Sequence, residues 1–179
     1  MAGDDEFPRR DLCPDKKMRI RASDSLAQTL GRCLQAQALH VAVAESCTGG
    51  GLAEAITAIP GSSAWFDCGF VTYTNRSKEK LLGVPYKVLA LEGAVSERVV
   101  CAMAEGALKH SDADLSAAIS GIAGPAGGTV EKPVGMVWIA WAYRGESTLA
   151  RCFQFEGDRW RVRELAVMAA LEGLIQKYV

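Results

Sequence analysis

The segment ESCTGGG, residues 45–51, constrains the fold more than any other part of this 179-residue chain. A short apolar run, residues 39–44, precedes it, and the helical pattern LAEAITAI follows it up to Pro60. A strand, a turn of small residues and a helix in this order are typical of open α/β sheets, which bind ligands at the carboxyl ends of their strands. The N–H groups at such a helix start can stabilise an anion or a developing oxyanion. The alternative is a glycine-rich turn with a Ser or Thr cap and no ligand.

The rest of the pattern predicts strands that alternate with helices. The predicted helices span residues 23–34, with Ser23 as the N-cap, 75–82, with Asn75 as the cap, 96–110 and 158–178, and the predicted strands span 65–74, 115–122, 136–143 and 147–155. The last two strands are expected to form an antiparallel hairpin. This order predicts a three-layer α/β/α sandwich with a mixed, mainly parallel sheet. We expect a single domain over residues 23–179.

The first 22 residues are expected to form a poorly ordered extension. Five acidic and six basic residues occur among the first 21, and no continuous apolar stretch typical of a secretory signal is present. An arm that binds a partner is the alternative.

Composition excludes several classes of protein. The formal net charge is −1, which disfavours a nucleic-acid partner. No apolar run approaches the ~18 residues that span a bilayer, so we expect no membrane segment. Six cysteines without a CxxC pair or a secretory signal indicate reduced thiols and a cytoplasmic protein. His40 and His110 lie far apart in the sequence, so we expect no metal site, no Ser-His-Asp triad and no cofactor.

A second group of polar residues, Tyr73, Asn75 and Lys78, follows the predicted strand 65–74. Tyr73 and Asn75 share a strand face, and Asn75 and Lys78 share a helix face by their spacing. These side chains are therefore expected to converge where the strand ends. The alternative is a tyrosine at the sheet edge beside a solvated lysine.

A third group lies in the long loop 120–135. Gly127 and Gly128 precede Thr129, and Lys132 follows closely, a pattern that resembles a phosphate or ribose cradle. A structureless loop of about 13 residues in a compact domain more often indicates function than mere connection.

Four motifs in a fixed order together identify a family. They are ESCTGG, then SSAWF with GFVTYTN and Lys78, then GAVS, then SGIAGPAGGTVEKPVGMVW. Over residues 23–178 the chain resembles the CinA C-terminal domain family, in its stand-alone members, which are nicotinamide-nucleotide amidases. The resemblance implies an α/β/α fold like that of anticodon-binding domains. It also implies hydrolysis of the carboxamide of nicotinamide mononucleotide to nicotinate mononucleotide and ammonia, in pyridine nucleotide recycling.

The resemblance also implies roles for individual residues. Ser46 matches the family nucleophile, with Tyr73, Lys78 and Ser120 around it; Ser120 stands where many members have Thr. A serine needs an adjacent base, and we expect Lys78 in that role, with its pKa lowered. Tyr73 is the alternative base or a proton relay.

Substrate contacts are expected from backbone groups and from two cations. The N–H groups of Cys47 and Thr48 are expected to hold the oxyanion. The phosphate is expected either at the helix start, residues 49–51, which includes Gly49 and Gly50, or at Gly127, Gly128 and Thr129, assisted by Lys132 and Arg159. Asn75 and Gly121 are expected to contact the substrate too.

The same motifs are compatible with two other functions. A non-catalytic nucleotide-binding or regulatory module would use the same glycine loops without needing Ser46, Tyr73 and Lys78 together. A Cys47 amidase is the weaker alternative, because the spacing does not reproduce the Cys, Asp and Lys arrangement of nicotinamidases. We also expect a homo-oligomer, with a dimer favoured.

Overall fold

Small and β-branched residues form the central strands, which are buried on both faces. The computed structural model describes residues 22–177. Its helices and strands, in chain order, are α1 (Ala22–Ala36), β1 (Val41–Glu45), α2 (Gly51–Thr57), β2 (Phe66–Val71), α3 (Asn75–Leu82), α4 (Tyr86–Glu92), α5 (Glu97–Lys109), β3 (Leu115–Gly121), β4 (Met136–Tyr143), β5 (Leu149–Gln154) and α6 (Arg159–Gln176).

The five strands form one sheet in the order β2-β1-β3-β4-β5. β1 pairs in parallel with both β2 and β3, whereas β4 is antiparallel to β3 and to β5. Four of the five strands therefore run in the same direction, which confirms the predicted mixed, mainly parallel sheet. The carboxyl ends of β1, β2 and β3 meet at one edge, and the segments that follow these strands lie side by side there.

Helices cover both faces of the sheet and complete the predicted three layers. α1, α2 and α6 pack together on one face, around a core that includes Leu30, Ile56 and Leu171. α3, α4 and α5 lie on the other face, where Leu82, Leu89 and Met103 belong to a second core. Burying these two apolar faces is the main favourable contribution to folding.

Helix boundaries differ from the sequence prediction at three places. Ser23 lies inside α1 rather than capping it. Thr74 caps α3 through a reciprocal pair of hydrogen bonds with Ser77, and Asn75 is the first helical residue. α4 was not predicted, because its seven residues are too few to show a helical period.

Three expectations from the sequence concern the N-terminal extension, a membrane segment and a metal site. The predicted extension, residues 1–22, lies outside the described residues except for Ala22, which begins α1. Among residues 22–177, no helix is long and apolar enough to cross a membrane. In the same residues, no group of three or more His, Cys, Asp or Glu side chains is placed to hold a metal ion.

Gly106 of α5 sets the position of α3. A Cβ atom at Gly106 would overlap the carbonyl oxygen of Leu82, the last residue of α3. We expect Gly106→Ala to lower the free energy of unfolding by about 1–3 kcal/mol, as overpacking does. Urea unfolding measures this change. An increase in stability, which the helix propensity of alanine alone would give, would contradict the proposed contact.

Candidate active site

Ser46 lies at the first position after β1, in the middle of the sheet's carboxyl edge. Its N–H donates to the carbonyl oxygen of Ile119 at 3.0 Å, so its backbone is still held by β3. The chain then turns into α2 through Gly49 and Gly50, whose φ angles are 60° and 96°. Glycine adopts this left-handed conformation without steric cost. The turn leaves the Ser46 side chain 9% exposed.

Lys78 contacts Ser46 directly. The lysine side chain is fully buried, and its Nζ donates to Ser46 Oγ at 2.9 Å and to the carbonyl oxygen of Thr72 at 2.7 Å. Thr72 follows β2, and its N–H donates to the carbonyl oxygen of Glu45 at 2.8 Å. The ends of two parallel strands and the first turns of α3 therefore determine where the amine lies.

Burial shifts the pKa of the two ionisable groups beside the turn in chemically useful directions. It lowers the pKa of Lys78 from 10.5 to about 8, because removal from water disfavours the charged amine. It raises the pKa of Cys47 to about 11, because the same loss of water disfavours the thiolate. Near neutral pH a sizeable minority of Lys78 is thus an unprotonated base, whereas Cys47 is a protonated thiol and a poor nucleophile.

A cavity of about 280 Å³ opens beside Ser46 and Lys78. It brings together most of the residues that the sequence singled out: Ser46, Cys47, Tyr73, Lys78, Ser120, Gly121, Gly127 and Arg159, with Ala94, Val95, Ile122, Ala123, Gly124 and Ala126 completing the wall. No carboxylate belongs to this lining, and Arg159 is its one permanent cation.

Arg159 joins two walls of the cavity. Its guanidinium donates to the Tyr73 hydroxyl at 3.0 Å and to the carbonyl oxygen of Gly124 at 2.8 Å. Arg159 is the first residue of α6, whose N-terminus is capped by the Asp158 carboxylate. Tyr73 itself is 58% exposed at the mouth of the cavity. The Arg159 hydrogen bond therefore orients an otherwise solvent-exposed phenol.

Ser120 and Lys132 hold the wall formed by residues 92–95. The Ser120 hydroxyl donates to the carbonyl oxygen of Ala94 at 2.7 Å. The Lys132 amine donates to the carbonyl oxygens of Val95, at 2.8 Å, and of Glu92. Lys132 is absent from the cavity lining, so the structure does not place it as the phosphate-binding cation predicted from the sequence. Its long side chain instead satisfies carbonyl groups at the C-terminal end of α4.

The N–H groups at the start of α2 are already bonded within the protein. The structure therefore does not support residues 49–51, one of the two expected phosphate sites. The N–H of Gly49 donates to the carbonyl oxygen of Ser46 at 3.1 Å, and that of Gly50 donates to the Glu45 carboxylate at 3.1 Å. The N–H of Gly51 donates to the carbonyl oxygen of Thr48. Within this turn, only the N–H groups of Cys47 and Thr48 donate to no oxygen acceptor among the described residues; the Cys47 N–H lies beside its own thiol sulfur. They are the first two N–H groups after Ser46 in the chain.

The remaining expected residues fall into two sets. Gly121 and Gly127 line the cavity, whereas Thr48, Gly49, Gly50, Asn75, Gly128 and Thr129 do not. Thr129 closes the tip of its loop, because its N–H donates to the carbonyl oxygen of Lys132 and its hydroxyl accepts the N–H of the same residue. Asn75 is exposed on α3.

Sequence reasoning missed three groups that build the site: the Thr72 carbonyl, the Glu45 carboxylate and the Arg163 guanidinium. Arg163 donates to the carbonyl oxygen of Thr48 at 2.6 Å from α6. No local pattern reveals these contacts: Glu45 lies five residues before Gly50, the N-cap of α2, and so does not occupy a capping position in the sequence.

Known proteins resemble this chain over nearly all of its described length. The CinA C-terminal domain family profile matches residues 23–178. The nicotinamide-nucleotide amidohydrolase PncC of Pseudomonas putida is 52% identical over 152 residues, 85% of this chain and 94% of the relative. The Escherichia coli K12 protein of the same name is 51% identical over 154 residues, 86% of this chain and 93% of that protein. The crystal structure of the competence/damage inducible protein CihA from Agrobacterium tumefaciens superposes with a TM-score of 0.85 at 44% identity, covering 86% of this chain and 94% of that one.

The lowered pKa of Lys78 predicts a pH-dependent cost to stability. Between about pH 8 and 10.5 the unfolded chain binds more protons at this residue than the folded chain, so stability rises with pH across that window. Below pH 8 the full cost, up to about 3 kcal/mol, is present. Lys78→Met is therefore expected to raise the free energy of unfolding at pH 7, and this gain is expected to vanish above pH 10.

Urea unfolding at pH 7 and at pH 10.5 measures the difference. Lys80→Met is the matched control, because Lys80 is exposed on the same helix. A Lys78→Met protein that is less stable than the wild type at pH 7, or a gain that does not change with pH, would contradict the buried-amine assignment.

Proposed function

The chain belongs to the CinA C-terminal domain family, and on that basis we propose that it hydrolyses the carboxamide of nicotinamide mononucleotide to nicotinate mononucleotide and ammonia through a serine acyl-enzyme. The observation that supports this most strongly is the 2.9 Å contact between Lys78 Nζ and Ser46 Oγ. It pairs a nucleophile with a base whose lowered pKa suits proton transfer near neutral pH.

Acylation begins with the neutral form of Lys78. The amine keeps one N–H on the Thr72 carbonyl oxygen, and its lone pair accepts the Ser46 proton as Oγ attacks the carboxamide carbon. The Thr72 hydrogen bond fixes the direction of that lone pair. The positive charge of the substrate's pyridinium ring favours the neutral amine before the attack, because like charges repel. The ring also withdraws electrons from the carboxamide carbon.

The tetrahedral oxyanion then needs donors that are already in place. The N–H groups of Cys47 and Thr48 donate to no oxygen acceptor among the described residues and follow Ser46 directly in the chain. Preorganised donors of this kind contribute more than any other single effect in many acyl-transfer enzymes.

Ammonia leaves when the C–N bond breaks and the protonated Lys78 returns its proton to the departing nitrogen. Water then enters, Lys78 removes one of its protons, and the ester bond to Ser46 is hydrolysed. Tyr73, held by Arg159 at the cavity mouth, is placed to orient this water or to relay a proton.

The size and charge of the cavity agree with this substrate. Its volume of about 280 Å³ lies just below the range of about 300–1,000 Å³ for small-molecule sites, which suits a small ligand. With no carboxylate in the lining, anionic groups of substrate and product meet no repulsion there. Arg159, the permanent cation of the cavity lining, is the group that we assign to the phosphate.

We place this reaction in the cytoplasm. All five cysteines among the described residues are free thiols, which fits a reducing compartment. The homodimer expected from the sequence stays a prediction.

Ammonia release from nicotinamide mononucleotide by Ser46→Ala and Cys47→Ala tests the nucleophile. Ser46→Ala is expected to lose nearly all activity and keep its fold, because one oxygen is removed from a turn. Cys47→Ala is expected to retain substantial activity, because its thiol is protonated. The opposite pattern would assign the reaction to Cys47. Folded wild-type protein that releases no ammonia would favour a non-catalytic nucleotide-binding module instead.

The pH profile tests the base. kcat/KM is expected to rise with pH and level off, with a midpoint near pH 8 set by Lys78 in the free enzyme. The kcat profile is expected to have a lower midpoint, because the bound pyridinium cation adds positive charge. Lys78→Arg should remain inactive at every pH, since arginine does not lose its proton. An active Lys78→Met variant would move the role of base to Tyr73.

Two cation variants test the phosphate site. Arg159→Met is expected to lower kcat/KM for nicotinamide mononucleotide about 10- to 100-fold more than for nicotinamide riboside, because a charge-assisted hydrogen bond contributes roughly 1.5–3 kcal/mol. Lys132→Met, which disturbs the wall at residues 92–95, is expected to affect both substrates by the same factor. Equal losses for both substrates in Arg159→Met would place the phosphate elsewhere.

A further inference from the structure

The Glu45 carboxylate occupies the N-terminus of α2. Glu45 is the last residue of β1 and is fully buried. Its Oε2 accepts the N–H groups of Gly50 and Leu52, each at 3.1 Å, and its Oε1 accepts that of Ala53 at 2.8 Å. These helix-start N–H groups have no partner within the helix. One side chain therefore satisfies three of them.

Glu45 thereby joins the two ends of the turn that carries Ser46, residues 45–50, because its carboxylate accepts the N–H of Gly50. The Ser46 N–H holds the beginning of the turn to β3, and the bond from Gly50 to Glu45 holds its end. Between these points the Arg163 guanidinium holds the Thr48 carbonyl oxygen from the outer side. The segment 47–49 is thus fixed from two sides by groups that are absent from the cavity lining.

Charge explains why a carboxylate suits this position. The start of a helix carries about half a positive charge and attracts anions. The Glu45 carboxylate occupies the N–H groups of Gly50, Leu52 and Ala53, so these donors are not available to the substrate phosphate. The Cys47 and Thr48 N–H groups, which precede the helix, are not bound by Glu45.

We propose that Glu45 is a positioning residue that, together with Arg163, aligns the Cys47 and Thr48 N–H groups toward the oxyanion formed at Ser46. This inference rests on the proposed serine chemistry, and it adds a role for two side chains that do not touch the substrate. Glu45→Gln retains one acceptor oxygen but directs an NH₂ group toward helix-start N–H groups. The turn must then shift, and a misplacement of about 1 Å can lower a rate about 10²-fold.

The rate of Ser46 phosphonylation by an alkyl fluorophosphonate tests this role without requiring the natural substrate. In that reaction the Ser46 oxygen forms a bond to phosphorus, the P–F bond breaks, fluoride leaves, and the serine proton passes to Lys78. The phosphoryl oxygen meets the same N–H donors as the oxyanion. We expect Glu45→Gln to slow labelling about 10²-fold. With nicotinamide mononucleotide we expect the same variant to lower kcat with KM changed less than about twofold, because the donors act mainly on the transition state.

Glu54→Gln is the matched control, since it removes an exposed carboxylate from the first turn of the same helix. It should label at the wild-type rate. If Glu45→Gln does not fold, Arg163→Gln tests the same positioning role. Arg163 is only half-buried on α6, so its replacement is expected to leave the protein folded. It is expected to slow labelling at least tenfold in protein whose thermal unfolding shows it to be folded.

The outcomes separate the two claims. Folded Glu45→Gln, or folded Arg163→Gln, that labels as fast as the wild type would overturn the positioning role. Slow labelling in these variants, with fast labelling in the wild type and in Glu54→Gln, supports it even if nicotinamide mononucleotide is not hydrolysed; that result would overturn only the substrate. Wild-type protein that takes no label at Ser46 would overturn both.

Discussion

The Lys78 amine lies in a fully buried position between the Ser46 hydroxyl and the Thr72 carbonyl oxygen, and most of the site is arranged around it. Three parallel strands bring these groups together, because β1 ends just before Ser46, β2 ends just before Thr72, and β3 pairs with the Ser46 N–H. α5 then supports α3, the helix that carries the lysine. A change in the packing of any of these elements would move the amine relative to the hydroxyl.

The charges near Lys78 are arranged to leave it without a counter-ion. Among residues 22–177 no carboxylate forms an ion pair with its amine, and burial therefore lowers its pKa against only a smaller opposing effect from Cys47. Glu45 is adjacent to Ser46 in the chain, yet its carboxylate is bound to N–H groups at the start of α2. A carboxylate beside the amine would favour the charged form and remove the base. Burial of the amine thus lowers the stability of the fold but keeps part of the amine unprotonated. Such a loss of stability for reactivity is common at active sites.

Local patterns were enough to predict the architecture and much of the site. The strand, the glycine turn and the helix around Ser46 follow from residue types that leave few backbone alternatives, and the spacing of Tyr73 and Lys78 placed both near the end of the neighbouring strand. The predicted layers and the mainly parallel sheet are confirmed.

Contacts made by long side chains across the fold could not be predicted in this way. Lys132 reaches carbonyl groups 37 and 40 residues away in the sequence, and Arg163 reaches Thr48 across 115 residues. The direction of the Glu45 carboxylate depends on where α2 begins in space. The choice of Thr74 over Asn75 as the cap of α3 depends on a reciprocal bond with Ser77. Each of these is a tertiary or geometric condition that residue types alone do not determine.

Acylation of Ser46 would add mass to the protein during turnover, and the mass of the intact protein measures it. Enzyme mixed with nicotinamide mononucleotide is quenched with acid at a series of times during turnover and weighed by mass spectrometry. We predict an added mass equal to the substrate minus ammonia, mapped to the peptide that contains Ser46 and absent from Ser46→Ala. Ammonia release at the full rate with no protein adduct at any quench time would contradict acylation of Ser46 and would indicate direct attack by water.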